Sequence, residues 1–422
     1  MYFTSFASFL QELAIESSSG NNESMFRKVP FTVFILGLVS LFNDTASEMI
    51  YPIIPIFLTS VLGAPVAIVG LIEGIAEGLA SFTKFIFGYW SDRVGTRKIF
   101  VLNGYSFTSI AKLLIGLAPS WPLVLFARAF DRLGKGLRTA PRDSLLLQNT
   151  SSTNRGFIFG FHRALDSLGA VIGPLFALLF LSVFHDNIRT IFFIAFIPGV
   201  IGIVLLALFV KEKKRQSGAS PHLWSRLPRS FQDLAMTVRK SNQSLNLFFI
   251  MSIIFSLGNS SNAFLILRAK DLGFTTALVI VLYVTYNVAQ ALLATPAGQL
   301  ADKIGARRVY GAGLIIFALV YLGFGLTKNP AILWLLFPIY GIYIAFTDGV
   351  SKAYISEFIT EETSGSYFGL YDTGVSIAIF LASLVGGILW SLFTPSATFY
   401  YGAAMALLAF AVLLYGKMVK KL

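Results

Sequence analysis

The stretch GYWSDRVGTRK at 88–98 sits between two long apolar runs and returns as GQLADKIGARR at 298–308. Gly88, Asp92, Gly95 and Arg97 are matched by Gly298, Asp302, Gly305 and Arg307, each at an offset of 210 residues, and a cation follows the aspartate in both copies, Arg93 and Lys303. Glycine permits a close helix approach and a tight turn, aspartate accepts hydrogen bonds at a helix terminus, and the cations suit an anionic lipid surface. A segment repeated about half a chain apart predicts two parallel halves built to one plan.

Outward from these repeats the chain is almost continuously apolar. It has 422 residues, 55% hydrophobic and 13% charged, with a mean hydropathy of +0.73. That composition excludes a water-soluble globule. Runs long enough to cross a hydrocarbon core of about 30 Å lie at 31–58, 65–91, 98–118, 121–148, 155–184 and 190–210, then at 245–270, 274–302, 308–327, 330–357, 365–393 and 396–416. They are too long and too evenly apolar for barrel strands. The expectation is an all-α membrane protein with twelve transmembrane helices in two six-helix, pseudo-symmetric bundles. Its parts are a tail at 1–29, a first bundle at 30–211, a basic linker at 212–243 and a second bundle at 244–422.

The net charge of +12 would suit a nucleic-acid binder if the cations formed one patch, but they lie at helix ends. Assigning the N-terminus and the even-numbered loops to one side collects twenty cations there, including Arg27, Lys98, Lys211, Lys213, Arg239 and Lys421. The other side holds Arg189, Arg268, Lys270 and Lys328. The positive-inside rule then places both termini in the cytoplasm, in an inner (plasma) membrane, with lipid and not nucleic acid as the surroundings. The chain has no cysteine, and its three histidines are scattered, so neither a disulfide framework nor a metal site is expected. Residues 1–24 lack the basic start of a signal peptide and read either as an amphipathic tail or as residues ahead of a start at Met25.

The repeated loop resembles the cytoplasmic-loop motif of the major facilitator superfamily, whose two sixes of helices also match this layout. The resemblance implies alternating access by a monomer without a cofactor. It further implies a cytoplasmic gate in which Arg97 and Arg307 reach Asp143 and Glu357, at corresponding ends of spans four and ten. Gly160, Gly169, Gly173 and Pro174 resemble the fifth-helix pattern of antiporters in that family, although Ala177 and Leu178 replace its final glycine pair. Ordinary close packing of small residues would account for them equally. RLGKGLRTA at 132–140 resembles the family's fourth-helix pattern, with Lys135 and Arg138 replacing Gln and Gly, and Arg132 falls on the arginine that the family links to proton coupling. NDTASEMIYPIIP at 43–55 resembles the first helix of the family's exporters.

Span four is chemically unusual, because RAFDRLGKGLRTAPRDS at 128–144 puts Arg128, Asp131, Arg132, Lys135, Arg138, Arg142 and Asp143 where each charge costs several kcal/mol unless paired or hydrated. Its GKG lacks the spacing and the preceding strand of a phosphate loop, which excludes ATP binding. Asp44 and Glu48, one turn apart on span one and followed by Tyr51, are expected level with Lys135 and with Asp131 and Arg132. They form an ionic cluster that either couples protons or locks the fold. On span two, Glu73 and Glu77 are one turn apart and are further candidates for proton coupling; Glu77 is expected opposite Lys112, where it makes either a structural pair or a proton site. On span five, Arg163 and Asp166 are spaced to satisfy each other, with His162 beside them.

The second half carries fewer charges, among them Asp348, and more amides and tyrosines. Asn259, Asn262, Tyr286, Asn287, Tyr340 and Asp348, with Tyr51, Lys135 and Arg138 of the first half, are expected to line a cavity for an organic solute. The leading expectation is a proton-coupled antiporter exporting a small organic compound such as a drug, metabolite or siderophore. An importer or uniporter of an anionic solute is the alternative within transport, and a receptor or lipid-moving protein is the alternative outside it.

Overall fold

In hydrocarbon a backbone must satisfy its own polar groups, and an apolar run does so as a helix. The computed structural model describes residues 29–94, 96–148, 155–184, 187–212, 243–356 and 361–419. Twelve helical spans occupy these residues. They are α1 (Phe31–Ile50, resuming as Ile54–Ile56 and a π turn Phe57–Val61), α2 (Val66–Val94), α3 (Lys98–Leu117), α4 (Trp121–Gln148), α5 (Arg155–Val183) and α6 (Ile188–Phe209). The second six are α7 (Gln243–Gly258, resuming as Ala263–Asp271), α8 (Thr276–Ile304), α9 (Ala306–Leu326), α10 (Leu333–Ser356, entered through the 3-10 turn Pro330–Ile332), α11 (Glu361–Leu392) and α12 (Pro395–Val419). Of the expected tail at 1–29 and linker at 212–243, residues 1–28 and 213–242 lie outside the described residues.

Eleven of the spans are long and apolar enough to cross a membrane on composition alone, and α4 is the exception. Its polarity is turned inward: Arg128, Arg132 and Arg138 are buried while Phe126 is 58% exposed, the reverse of a helix on a soluble protein. α4 lies between α2 and α3 and packs on both. Glycine sets the spacing. A Cβ on Gly104 of α3 would stand 2.7 Å from the Gly134 carbonyl oxygen of α4, and one on Gly134 would stand 2.6 Å from that of Gly104.

α1 and α7 both break, and at equivalent places. Pro52 has no N–H to return to the Glu48 carbonyl and its ring crowds that turn, so α1 stops at Ile50 and resumes at Ile54. α7 unwinds over Asn259–Asn262, which lies at the same point of the 210-residue repeat. The sequence pattern predicts continuous helices at both places. Pro52, Pro55 and the polar run NSSN at 259–262 are the signals that account for the breaks. Irregular backbone at such depth is tolerated where it is buried in protein or lines a cavity.

α2 packs along α11, and α5 against α8, and these contacts join the halves. They are tight away from the termini, on what is here termed the far side. A Cβ on Gly74 would stand 3.0 Å from the Phe380 carbonyl oxygen, one on Gly387 would stand 3.0 Å from the Ala67 Cα, and the Ala67 N–H donates to Ser391 Oγ at 3.0 Å. The apolar core there is shared, with Ala263, Leu267 and Ile280 of the second half packed among Met49, Ile53 and Phe57 of the first. On the side of the termini, the first half's described core (Val33, Tyr105, Leu146, Leu206) is built from its own residues, and nothing lies within 4 Å of where a Cβ on Gly78 would be. Among the described residues, the halves are closed on the far side and part toward the termini.

Two arginines close the far ends of equivalent helices. Arg189 donates to the Gly116 and Ala118 carbonyls at the end of α3, at 2.9 and 2.8 Å. Arg268 donates to the Phe324 and Thr327 carbonyls around the end of α9, at 3.1 and 2.9 Å, and is paired with Asp271. A cation there satisfies carbonyls that a helix C-terminus leaves over.

Candidate functional site

The inward face of α4 carries a ladder of charges, and α2 supplies most of the answering acids. Arg128 Nη2 donates to Glu73 Oε1 at 2.7 Å, with both side chains 3% exposed. Asp131 stands between two guanidinium groups, 3.6 Å from Arg128 and 3.3 Å from Arg132, the latter without hydrogen-bond geometry. Arg132 reaches Glu77 at 4.0 Å. Further along the helix, Arg138 is 3.9 Å from Asp44 and lies over the Tyr105 ring at 4.3 Å. Arg142 donates to Asp143 at 3.0 and 3.1 Å and to Ser40 Oγ at 3.1 Å.

Two expected pairings change. Glu77 faces Arg132 and not Lys112, because α4 intervenes between α2 and α3. Lys112, 1% exposed, donates instead to the Thr108 carbonyl at 3.1 Å and to Ser47 Oγ at 3.4 Å. Asp44 meets Arg138, one turn beyond the expected Lys135. The Arg163 side chain lies outside the described residues, and Asp166 stands 3.6 Å from His162 Nδ1.

Asp44 and Glu48 share the face of α1 that meets α5, where two glycines make room for them. A Cβ on Gly169 would stand 3.0 Å from the Asp44 Cβ, and one on Gly173 would stand 3.0 Å from the Glu48 Cβ. Glu48 is bound across the molecule: the Tyr283 hydroxyl of α8 donates to its Oε2 at 2.7 Å. Ser261, in the break of α7, donates to Glu73 Oε2 at 3.4 Å. The ring of Tyr51 lies 5.7 Å from that of Tyr283. Tyr51 and Ser261 occupy equivalent positions in the repeat, as do Glu73 and Tyr283, so the two links are related by the pseudo-symmetry of the halves. Ser261 escapes a reading of the sequence that looks for charge and aromatic character.

The tyrosines form a connected wall. Tyr283 meets Tyr286 with ring centres 4.9 Å apart, and Tyr286 meets Tyr340 at 5.7 Å. Asn262 ties the last two together, accepting from the Tyr340 hydroxyl at 2.7 Å and donating to the Tyr286 hydroxyl at 3.2 Å. Asn287 donates to the Tyr283 carbonyl at 2.9 Å, Asn259 is half-buried in the α7 break, and Asp348 is exposed, with a partner of its own. Among the described residues no group of three His, Cys, Asp or Glu is placed to hold a metal.

The Major Facilitator Superfamily profile matches residues 36–267 and 247–421. The chain belongs to the major facilitator superfamily. A relative named as an uncharacterized MFS-type transporter, from Methanocaldococcus jannaschii, is 36% identical over 412 residues, covering 96% of this chain and 100% of its own. Multidrug resistance protein 2 of Bacillus subtilis is 25% identical over 382 residues, covering 86% and 89%. Among solved structures, the nucleoside transporter NupG superposes with a TM-score of 0.74 at 12% identity, over 91% of this chain and 98% of that one, a likeness of fold. This major facilitator is a membrane transporter with the fold of its superfamily.

The superfamily's loop motif is only partly described. The side chains of Asp92, Arg93 and Asp302, the surroundings of Gly88 and Gly160, and Gly95 and Glu357 lie outside the described residues. Gly305 has φ +95°, a conformation that favours glycine, and nothing lies within 4 Å of a Cβ on Gly298. Lys303 is exposed. Arg97 donates to the Ser144 carbonyl at 3.3 Å, next to Asp143, and Arg307 donates to the Leu413 carbonyl. Glu212, at the start of the linker, accepts the backbone N–H groups of Arg97 and Lys98 at 2.5 and 3.0 Å. It closes the α3 N-terminus, where a carboxylate is favoured. Pro174 lies inside α5, directly after Gly173.

Proposed function

We propose that this transporter is a proton-coupled antiporter that exports a small organic compound across the inner (plasma) membrane, as a monomer with both termini in the cytoplasm. One observation carries the reading: the hydrogen bond that Glu48 accepts from Tyr283 joins the two halves. Alternating access must separate α1 from α8 on that side, so Glu48 has this partner in one state and loses it in the other. A carboxylate whose partners differ between two states differs in proton affinity between them, and proton binding then biases the conformational equilibrium. Asp44, one turn away and 3.9 Å from Arg138, is the principal carrier in this scheme, and the two acids titrate as a coupled pair. Arg132 sets the local field through Asp131 and Glu77, and Asn262 and Tyr51, half-buried beside the packed tyrosines, are the groups that meet the solute. The distant relatives named for multidrug resistance support the direction of transport.

Substrate flux in proteoliposomes under imposed pH gradients tests this. Antiport predicts that reversing the gradient reverses accumulation. Uniport of an anionic solute, the competing reading, predicts accumulation that follows membrane potential and ignores a pH gradient at zero potential.

A further inference from the structure

α2 and α11 run antiparallel along the junction of the halves, and their contacts fix a register. Ser261, in the break of α7, touches both helices: its hydroxyl donates to Glu73 Oε2 of α2 at 3.4 Å, and its backbone N–H donates to Ser383 Oγ of α11 at 3.1 Å. Lys84 stands eleven residues after Glu73, and Asp372 eleven before Ser383. Eleven residues make three helical turns to within about 20° and cover about 16–17 Å. Both steps lead toward the termini, and both keep to the faces that Ser261 joins. The close contacts give the same depth independently. Lys84 lies seventeen residues beyond Ala67, whose N–H donates to Ser391, and ten beyond Gly74, which abuts Phe380, and these counts place it level with positions 370–374 of α11.

The two side chains carry opposite charge, and both are exposed, on the side where the halves part. Neither forms an ion pair among the described residues. Glu77, two turns before Lys84 on the same helix and within its electrostatic range, is engaged with Arg132. A charge in a membrane span is tolerated where water or a partner meets it. Closing the halves on this side removes the water, and each charge would then be buried alone unless the two meet. We propose that Lys84 and Asp372 pair across the halves when the side of the termini closes, and that the pair holds the state opposite to this one. The proposal rests on the transport reading above, through alternating access, but not on its direction or its coupling ion.

The chain has no cysteine, so Lys84→Cys with Asp372→Cys can form one disulfide in the purified full-length protein in nanodiscs. Such a bond needs Cα atoms within about 7 Å of each other. Copper-phenanthroline should join the pair, at least about threefold faster when Gly70→Val, which crowds the far-side contact of α2 with α11, favours the opposite state. Phe82→Cys with Asp372→Cys should stay reduced, because Phe82 is 65% exposed on the outward face of α2. In the Gly70→Val background a lone Ala263→Cys, buried in the far-side core, reports the same equilibrium through an impermeant maleimide. Its labelling should slow at least about threefold with Lys84→Asp or with Asp372→Lys, since like charges oppose closure, and the double reversal should restore it to within about 1.5-fold. Every variant should keep the wild-type elution volume, both side chains being exposed in this state. The proposal is overturned if the cysteine pair fails to cross-link in either background, if the Phe82 pair links as readily, or if the double reversal labels as slowly as a single one. Rescue by the double reversal together with flux that ignores a pH gradient would sink the coupling reading and leave this pair standing. pH-driven antiport without that rescue would do the reverse.

Discussion

The pairing of Glu73 with Arg128 is the tightest ion pair in the α2–α4 contact, and its burial makes each partner depend on the other. Arg128→Ala should lower stability by about 3–5 kcal/mol, because it strands a buried carboxylate. The Glu73→Gln, Arg128→Met double variant should recover most of that loss, and detergent-solubilised melting curves compare the two. Equal destabilisation by both would show that the pair contributes packing alone. Tyr283→Phe removes one hydroxyl and keeps the ring against Tyr51 and Tyr286, so it should shift the pH dependence of transport while leaving substrate binding within about twofold. An unchanged pH profile would detach Glu48 from coupling. The sequence shows which residues carry charge inside the membrane but not which way they face. Asp44 does reach an α4 arginine while Glu48 is held by Tyr283, and Glu77 and Lys112 do not meet, since adjacency along the chain does not reveal that α4 lies between α2 and α3.

At the scale of elements, the far-side closure depends on backbone proximity. Gly74 and Gly387 stand where α2 and α11 touch, and a Cβ on Gly70 would meet Gly387 N at 3.3 Å and also strike the Ser383 carbonyl. Gly70→Val should therefore destabilise the closed far side by about 1–3 kcal/mol and shift the molecule toward the opposite state. Because the chain has no cysteine, a single Ala263→Cys reporter, buried in the core shared by the halves, reads this directly. It should react faster with an impermeant maleimide from the far side in the Gly70→Val background, and unchanged labelling would remove α2–α11 from the gate. The helices themselves are legible from apolar runs and from the repeat. Their interruptions are less so, because Pro52 signals a break only to a reader who knows that the turn is buried, and NSSN at 259–262 resembles any polar stretch until α7 is seen to unwind there.

For the whole molecule, the offset of 210 residues between the two loop motifs announces two halves. The structure adds that the halves meet through symmetry-related links, Tyr51 with Tyr283 and Ser261 with Glu73. That correspondence involves dissimilar residue types, which is why the repeat is readable in the loop motif and not at the site. Orientation is tested by single cysteines at Ser120, exposed between α3 and α4, and at Ser217 in the linker. Ser217→Cys should label only from the cytoplasm and Ser120→Cys only from outside, and the opposite pattern would invert the topology. In the proposed antiport, Asp44 and Glu48 carry the coupling proton. In inside-out vesicles holding an acid interior, an exported compound should collapse part of the pH gradient, read with a pH-quenched dye. The wild-type protein should show this collapse, and the Asp44→Asn, Glu48→Gln double variant, inserted at the same level, should not. Collapse by the double variant equal to that of the wild type would place proton coupling elsewhere in the molecule.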